Sequence, residues 1–335
     1  MTAVLWVRPL MLAAATFAIS IWLTGRVLRF AQRQAILDHP SERSSHSRPT
    51  PRGGGLAIVV AFLLGLGAGT ALEIVPLRLA VALGGGGALI ALVGWRDDRV
   101  GVPPRVRLLW QAVAASWALG WLGGYPSMAL GGFSLPLGVL GVPVAIAGIV
   151  WAINLFNFMD GIDGIAGIEA LSIGLGGALL LLVGGLPDGA AVSLMLAAAA
   201  LGFLKWNWAP ARIFMGDVGS GFLGLVVAVL AVWSERNSGP PAVLWSVLGM
   251  VFVFDATLTL VRRAFRGERV TEAHRSHAYQ RLVMAGWSHA GVSLATLAIN
   301  LVLVCLCFLP PLTALGIAVL LLGVVYFGVE RVRRM

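Results

Sequence analysis

Five aspartates in three short clusters are the residues of this chain whose types and spacing best suit chemistry. Asp97 and Asp98 are adjacent, Asp160 and Asp163 lie three residues apart, and Asp217 stands beside glycines further along. Each cluster lies at the edge of a long apolar run. Carboxylates persist near a bilayer only when a cation, an ion pair or a proton neutralises them. The pattern therefore predicts metal-assisted chemistry at one face of a membrane.

The second cluster continues a row of polar side chains. Asn154, Asn157, Asp160 and Asp163 recur at every third residue, so a helix would align them along one face. A helix cap would account for one aspartate, but not for four polar groups in register. We interpret the row as part of a site.

The adjacent pair Asp97 and Asp98 has two interpretations. Neighbouring carboxylates repel each other, so both ionise only beside a cation, which Arg96 and Arg99 could supply. The functional alternative is Mg²⁺ binding or general-base catalysis.

Asp217 also has two interpretations. It just precedes an apolar run and could cap a helix. It could instead be a lone ligand for Mg²⁺, which takes one or two carboxylates together with phosphate oxygens of a substrate. Beside the other two clusters, the metal role is favoured.

Two basic loops suit phosphate groups. Arg48 and Arg52 precede glycine amides at the start of an apolar run, which suits an anion, although they could equally be topological anchors. The loop at about 262–289 carries His274, His277 and Arg281. Without cysteines or a third histidine nearby, zinc is disfavoured, and contacts to substrate phosphates fit better.

Several other residues are predicted to be structural. His289 is assigned to a helix start, and Asp255, inside an apolar run, to a pairing with Arg262 or with a polar group on another helix. Glycines 84–87 are interpreted as a packing notch in a membrane helix.

The elements that must position these residues are transmembrane helices. The chain has 335 residues, of which 59% are hydrophobic and only 12% charged. The predicted fold is an all-α polytopic membrane bundle of about eleven helices, forming a single domain over residues 1–335. The predicted spans are 3–24, 54–72, 77–94, 108–123, 137–155, 166–184, 189–205, 219–234, 241–261, 290–308 and 311–328.

The distribution of charge predicts an orientation. Of the 24 Lys and Arg residues, 21 fall in alternate loops and at the C-terminus, and only Arg8, Arg78 and Arg236 fall elsewhere. The positive-inside rule then places the N-terminus outside and the C-terminus in the cytoplasm, with every aspartate cluster on the cytoplasmic side. This pattern also argues against nucleic acid as the reason for the net charge of +9.

A cation-coupled or lipid-linked transporter is a non-enzymatic alternative, because such proteins also carry aspartates in a helical bundle. Transport sites lie near the bilayer midplane, usually between repeats. These aspartates lie at the edges of the spans instead.

The motifs, in order, resemble one known family. They are the loop 49–55, the pair Asp97 and Asp98, the segment 154–164, the segment 214–221 and the histidine loop. Together they resemble the polyprenyl-phosphate N-acetylhexosamine-1-phosphate transferases of bacterial glycosyl transferase family 4, a group related to phospho-N-acetylmuramoyl-pentapeptide transferase.

The resemblance implies a reaction in which undecaprenyl phosphate attacks the β-phosphate of a UDP-linked amino sugar and UMP leaves. It implies that Asp217 binds Mg²⁺, with Mn²⁺ as an alternative ion, and that Asp97 and Asp98 are an essential acidic pair. A one-step displacement and a covalent aspartyl-phosphate route both stay open.

The resemblance also implies substrate contacts. The segment from Asn154 to Asp163 would line the nucleotide-sugar cleft, and Arg48 would contact phosphate. The implied location is the bacterial inner membrane, with the active site facing the cytoplasm and membrane lipid around it. A homodimer is one option for the oligomeric state.

The chain departs from the family in the histidine loop. Many members carry a His-x-His-His run, whereas Tyr279 and Gln280 follow His277 and Ala278 here. The departure favours the branch that starts O-antigen-like surface polysaccharides. The alternative is a peptidoglycan lipid I synthase, in which the triple-histidine run is expected.

Overall fold

The computed structural model describes residues 2–40, 48–269 and 274–332. Of the cations counted above, Arg43, Arg333 and Arg334 lie outside the described residues. The described chain is mostly helical with very little sheet, which confirms the predicted all-α membrane fold. The helices are α1 Thr2–Arg33, α2 Gly55–Ala71, α3 Leu77–Val100, α4 Pro104–Leu122, α5 Gly141–Met159, α6 Ile165–Val183, α7 Pro187–Asn207, α8 Asp217–Arg236, α9 Ala242–Leu248, α10 Met250–Phe265, α11 Ala278–Met284, α12 His289–Leu306 and α13 Pro311–Val332.

Each predicted span coincides with a helix, except that one span is broken into α9 and α10. These two helices meet at an angle of 86°. Eight helices in the described chain are long and apolar enough to cross a membrane, or nine if the broken pair is one span. The difference from eleven arises because α2 has only 17 residues and because α4 carries Arg105, Arg107 and Gln111 in its first two turns.

The break between α9 and α10 is held by a buried acid. The carboxylate of Glu169 in α6 lies beside Gly249, between the two helices, where a Cβ added at Gly249 would be 3.9 Å from its Oε1 atom. Asn300 of α12 donates to the same carboxylate at 2.7 Å. Backbone groups freed by a helix break inside a membrane need such partners, since no water is available there.

Helix α8 lies at the centre of the bundle, and nearly all its side chains are buried. Glycines let three neighbours approach its backbone closely. A Cβ added at Gly94 of α3 would lie 2.5 Å from the carbonyl oxygen of Asp217, and one at Gly55 of α2 would lie 2.6 Å from the amide nitrogen of Gly219. Gly224 of α8 contacts the backbone of Ala152 in α5 in the same way. Small residues therefore bring α2, α3 and α5 together around α8.

Three of the four glycines in the predicted packing notch lie close to neighbouring helices, and two of these face aromatic rings. Gly85 faces Trp117 of α4, and Gly87 faces Phe222 of α8. Gly84 lies in open space, because a Cβ added there would have only Leu66 within reach, at 4.0 Å.

Two small antiparallel hairpins lie at the ends of the bundle. Strands β1 Leu37–Asp38 and β2 Thr50–Pro51 pair at the end that carries the aspartate clusters. Strands β3 Ser127–Ala129 and β4 Ser134–Pro136 pair at the opposite end.

Candidate active site

Three of the predicted aspartates meet two arginines at one end of the bundle. Nη2 of Arg52 lies 2.7 Å from Oδ1 of Asp217 and 2.8 Å from Oδ1 of Asp98. Nη1 of Arg107 lies 2.5 Å from Oδ2 of Asp97 and 3.4 Å from Oδ2 of Asp217. Asp217 therefore stands between two guanidinium groups, and three carboxyl groups share two arginines.

The partners of the acidic pair differ from those suggested by the sequence. Arg96 is exposed, and Arg99 is also exposed, with its guanidinium 4.1 Å from the centre of the Trp95 ring. The neutralising cations come from other elements, the loop before α2 and the second turn of α4. Of the two interpretations of the pair, the one in which Arg96 and Arg99 neutralise it is therefore not supported.

Asp98 caps α8. Its carboxylate accepts the N–H groups of Asp217 at 2.9 Å and Val218 at 3.2 Å. Gly216 allows this approach, because it has a φ of +77° and a Cβ there would lie 2.5 Å from Asp98 Oδ2. An anion at the first amides of a helix is favoured by hydrogen bonding and by the helix dipole. Asp217 is therefore the first residue of α8 rather than its cap, and its carboxylate is directed at the arginines.

Backbone pairing between two loops holds Arg52 in place. The N–H of Phe214 donates to the carbonyl of Pro51 at 2.8 Å, and the N–H of Gly54 donates to the carbonyl of Phe214 at 2.9 Å. Because Arg52 stands between Pro51 and Gly54, this pairing fixes it beside the segment that leads to Asp217. Burial alone would lower the pKa of the Arg52 guanidinium, but Asp98 and Asp217 raise it above its ordinary value.

The polar row divides into two parts. On α5, Nδ2 of Asn154 donates to Oε1 of Gln111 at 2.7 Å, and Nδ2 of Asn157 donates to Oγ of Ser220 at 3.2 Å. The helix then ends at Met159, so Asp160 and Asp163 lie in the following turn. The prediction of one continuous helical face is therefore wrong beyond Asn157, because the glycines after Met159 let the chain leave the helix.

A cavity of about 300 Å³ nevertheless collects most of the row. Its wall includes Arg52, Asn157, Asp160, Asp163, Asp217 and His289. A small recess of about 30 Å³ adjoins it, and Asp97, Arg107, Gln111 and Asn154 line that recess together with Asn157 and Asp217.

Two aspartates of the cavity differ in their environment. Burial raises the pKa of Asp160, and Asp217 and Asp98 add to that rise while Arg52 opposes it. Asp163 accepts the N–H of Ala211 at 3.0 Å and lies 3.3 Å from Nδ1 of His289. Asp163 thus joins the turn after α5 to the loop before α8.

Arg48 lies outside the cavity wall. Its side chain is exposed, and its carbonyl accepts a hydrogen bond from Oγ1 of Thr50 at 3.1 Å.

The histidine segment packs beside the cavity without lining it. His277 is buried, with Nδ1 3.5 Å from Oδ1 of Asp255, and its ring lies 4.8 Å from that of His274. Burial lowers the pKa of His274 to about 4, and His277 and Arg263 add to the effect, so His274 is neutral near pH 7. Tyr279 donates from its hydroxyl to the carbonyl of Phe158 at 3.1 Å, which ties this segment to the end of α5.

Asp255 holds the start of the short helix α11. It accepts the N–H groups of Ala278 at 2.9 Å and Tyr279 at 3.3 Å. Of the two predicted partners, the polar group on another segment is correct, and Arg262 pairs with Glu330 instead.

Arg281 points away from the aspartates. It donates to Glu330 at 3.0 Å and to the carbonyl of Ser276 at 2.8 Å, and it also contacts the hydroxyl of Tyr326. It therefore lines a different cavity, formed with α10 and α13.

Comparison with known proteins identifies the family. A model of glycosyl transferase family 4 matches residues 80–235. A probable undecaprenyl-phosphate N-acetylglucosaminyl 1-phosphate transferase of Bacillus subtilis is 31% identical over 80% of this chain and 75% of its own length. The chain belongs to glycosyl transferase family 4. The resemblance expected from the motifs is thereby confirmed.

Two further relatives of this family 4 member carry different names. Decaprenyl-phosphate N-acetylglucosaminephosphotransferase of Mycobacterium tuberculosis is 31% identical over 86% of the chain and 79% of its own length. Phospho-N-acetylmuramoyl-pentapeptide-transferase of a Synechococcus species is 32% identical over 88% of each chain.

Four polar residues of this family 4 site were not singled out from the sequence. Arg107 and Gln111 lie four apart on α4, and polar side chains one helical turn apart in an apolar run were a usable signal. Asn207 joins two loops, since Oδ1 accepts the N–H of Gly164 and Nδ2 donates to the carbonyl of Ile213, each at 3.0 Å. Ser220 is only one hydroxyl in a glycine-rich segment and gave no distinct signal.

The donor atoms of this family 4 site suit a hard cation. Among the described residues, no group of three or more Asp, Glu, His or Cys side chains forms a preformed metal-binding site. Asp97 and Asp217 do approach the same guanidinium nitrogen of Arg107 from two sides. Mg²⁺ commonly takes one or two carboxylates and completes its shell with phosphate oxygens and water. The residues present therefore fit the single-carboxylate site predicted at Asp217, with Asp97 as a neighbour.

Proposed function

We propose that this protein transfers an N-acetylated amino-sugar 1-phosphate from a UDP-sugar to undecaprenyl phosphate and releases UMP. The names of the relatives support the class of reaction, since those of Bacillus subtilis and Mycobacterium tuberculosis specify a polyprenyl phosphate and an N-acetylglucosaminyl phosphate group. Family membership and the position of the acids at the end of the bundle disfavour a transporter.

The observation that carries the proposal is Asp217 held between Arg52 and Arg107 in the wall of a polar cavity. The nucleophile and the electrophile of this reaction are both anions, so mutual repulsion is the main obstacle. Fixed guanidinium groups lower that repulsion as the transition state forms. Asn157 and Ser220 add neutral hydrogen-bonding groups beside them.

The reaction balances without a net proton transfer. An oxygen of the lipid phosphate dianion forms a bond to the β-phosphorus, and the bond from that phosphorus to the bridging oxygen breaks. UMP leaves with the electron pair as a dianion. A phosphate monoester has a second pKa of roughly 6, so the nucleophile is already mostly dianionic near neutral pH. The role proposed for Asp97 and Asp98 is therefore to position the arginines and α8, rather than to remove a proton.

We propose Mg²⁺ as the metal cofactor, with Asp217 as its protein ligand and Asp97 beside it. When bound, the ion would neutralise charge on the phosphate oxygens. Arg52 and Arg107 then lie on either side of the same carboxylate and can each turn a donor toward a phosphate.

An apolar groove supports a lipid substrate. It has a volume of about 270 Å³ and lies between α5, α8 and the α9–α10 break. Its lining extends from Phe156, near the aspartate end, to Tyr125 near the opposite end of α5. A long isoprenoid chain would bury apolar surface in such a groove.

For the finer assignment, we propose that the product starts a lipid-linked, O-antigen-like surface polysaccharide. Tyr279 and Gln280, which replace histidines of the family pattern, are buried and bonded within the fold, Tyr279 to Phe158 and Gln280 to His277. One relative, from Synechococcus, is named a phospho-N-acetylmuramoyl-pentapeptide-transferase. The principal alternative donor is therefore UDP-N-acetylmuramoyl-pentapeptide.

The test is UMP release by the purified protein with undecaprenyl phosphate, Mg²⁺ and a panel of donors. The panel contains UDP-N-acetylglucosamine, UDP-N-acetylgalactosamine, an N-acetylated deoxyamino sugar and UDP-N-acetylmuramoyl-pentapeptide. We expect UMP only when donor, lipid phosphate and metal are all present, and with an amino-sugar donor other than the pentapeptide. Release with the pentapeptide donor alone would replace the proposal with lipid I synthesis.

The proposed location is the bacterial inner membrane, with the cavity open to the cytoplasm, where nucleotide sugars are made. The charge distribution supports this orientation, because the arginines lie at the same end of the bundle as Asp217.

A further inference from the structure

A second cavity lies at the same end of the bundle, between α10, α11 and α13. Its volume is about 470 Å³, larger than that of the aspartate cavity. Among the described residues, the two cavities have no wall residue in common. The second cavity is lined by Thr259, Arg262, Arg263, Arg266, Arg275, Ser276, Arg281, Met284, Tyr326 and Glu330. We call it the arginine cavity.

The arginine cavity has an excess of positive charge. Five arginines and one carboxylate, that of Glu330, line it. Glu268 lies 3.1 Å from Arg263 and lowers this excess. Even so, cations outnumber acids by at least three in this part of the described chain. Like charges enclosed in one concave space repel each other strongly, so an anion bound among them would stabilise the arrangement.

Two of the arginines are buried and held in position. Arg263 donates to the carbonyl of Arg269 at 2.9 Å, and its Nε atom is buried without a hydrogen-bond partner among the described residues. The side chain of Arg281 is only 10% exposed and is fixed by Glu330 and by the carbonyl of Ser276. Arginines that only anchor topology need no such arrangement, since they can extend into water. The cavity therefore has the features of a built anion site.

The chemistry of the cavity selects a phosphoryl group. Guanidinium groups offer paired donors in a plane, which match the oxygens of a phosphate and favour it over a spherical anion. The hydroxyl of Ser276 adds a neutral donor to the same wall, whereas that of Thr259 already donates to Asp255 at 3.1 Å.

The surroundings favour a lipid as the source of that phosphate. Phe265 is 90% exposed and Phe327 is 60% exposed, and these residues are on α10 and α13, the two long helices that bound the cavity. Exposed aromatic side chains beside arginines are typical of the interface between lipid and water. A headgroup in the cavity would let its acyl chains lie along these helices.

We propose that the arginine cavity is a non-reacting site for a phosphate ester, supplied by the headgroup of an anionic membrane lipid. The site is separate from the transfer reaction, and it holds α10, α11 and α13 together at the membrane surface. A soluble phosphate compound has the same chemistry, so the experiment includes both sources.

The test is lipid binding by the purified, delipidated full chain, measured by native mass spectrometry with phosphatidylglycerol. In one arm Arg266→Gln is combined with Arg275→Gln. The matched control combines Arg26→Gln with Arg29→Gln, because both control arginines are exposed, lie at the same end on α1 and are outside the cavity wall. We expect the cavity variant to lose about tenfold or more in affinity, since charged hydrogen bonds to phosphate are strong. The control should stay within about twofold of the parent protein.

A parallel arm replaces the lipid with inorganic pyrophosphate. Loss of lipid affinity in the cavity variant supports the lipid headgroup, whereas loss confined to pyrophosphate overturns the lipid source and leaves a soluble phosphate ligand. Equal affinities in the cavity variant and the control, for both ligands, overturn the proposal. Thermal unfolding is recorded for each variant, and the exposed Arg266→Glu change alone replaces the double change if the latter fails to fold.

Discussion

At the scale of single residues, the site is a set of three carboxylates that two arginines neutralise. Asp217 contacts both Arg52 and Arg107, whereas Asp97 and Asp98 each contact one of them. The two guanidinium groups therefore offset much of the repulsion among the three acids at the end of the bundle. Because the arginines also bear donors suited to phosphate, the pairing that stabilises the acids prepares the site for an anionic substrate.

Asp217→Asn tests the role of the central carboxylate. The change keeps the size of the side chain but removes the charge shared by Arg52 and Arg107, so UMP release should fall by about a hundredfold or more. Turnover is measured at saturating donor over a range of Mg²⁺. Asp188→Asn is the matched control, since Asp188 is an exposed acid in the first turn of α7. Turnover of the Asp217 variant within tenfold of the parent at low Mg²⁺ would exclude a metal role.

Asp98 is predicted to act mainly through α8. Asp98→Ala removes the acceptor for the N–H groups of Asp217 and Val218, and the loss of a helix cap costs about 1–2 kcal/mol. Asp98→Asn keeps one acceptor oxygen and should cost clearly less. Thermal unfolding in detergent measures both. Equal midpoints for the two variants would show that the cap contributes nothing.

The sequence revealed the acids of the site better than the cations. Asp97, Asp98 and Asp217 were evident because carboxylates at the ends of apolar runs are uncommon. The role of Arg107 was not evident, because the loops on the positive side carry many arginines. Only the packing of α4 against α3 brings this one to Asp97. The direction of Arg281 also depends on tertiary structure, since Glu330 is 49 residues away along the chain.

At the scale of elements, close glycine contacts set the distances within the site. The aspartates of α3 meet Asp217 only because α3 approaches the first turn of α8 at Gly94. The sequence predicted these helices, but it ended the span of α3 at residue 94, whereas the helix runs to Val100, and it also misplaced the end of the polar face of α5. There, the period of three continues past Met159, where the helix stops and Asp160 follows in a turn.

Gly94→Ala tests this contact. The new Cβ would lie 2.5 Å from the carbonyl oxygen of Asp217 and 2.7 Å from the amide nitrogen of Val218, and backbone atoms cannot move aside as a flexible side chain could. The helices should separate, and misplacement of reacting groups by even about 1 Å can cost a hundredfold in rate. We expect UMP release to fall at least about tenfold. Gly84→Ala on the same helix has only Leu66 nearby, at 4.0 Å, and should keep parent activity.

At the scale of the whole molecule, the two ends of the bundle differ in chemistry. One end carries the aspartate cavity and the arginine cavity, whereas at the other Glu235 accepts hydrogen bonds from Tyr125 and from the backbone of Ala129 and Ala242. Composition and charge were enough to predict a membrane bundle with its acids at one end. They could not predict the broken span, because the break depends on Glu169 and Asn300 meeting near Gly249 from other helices.

Cysteine labelling tests the predicted orientation. In a background with Cys305→Ala and Cys307→Ala, a cysteine at Arg33 should react only after the cytoplasmic side is opened. A cysteine at Ser238, exposed in the turn after α8, should react with a membrane-impermeant maleimide in intact cells. The reverse pattern would place the aspartate cavity outside the cell.

The central claim is that phosphate moves together with the sugar. The most direct measurement uses UDP-N-acetylglucosamine, or the donor found active above, labelled with ³²P at the β-phosphate and with ³H in the sugar, with undecaprenyl phosphate as acceptor. The account predicts that both labels enter the lipid product in equal amounts, that unlabelled UMP is released, and that Asp217→Asn abolishes both. Transfer of ³H to the lipid while ³²P remains in UDP would contradict the account, because the protein would then transfer the sugar alone.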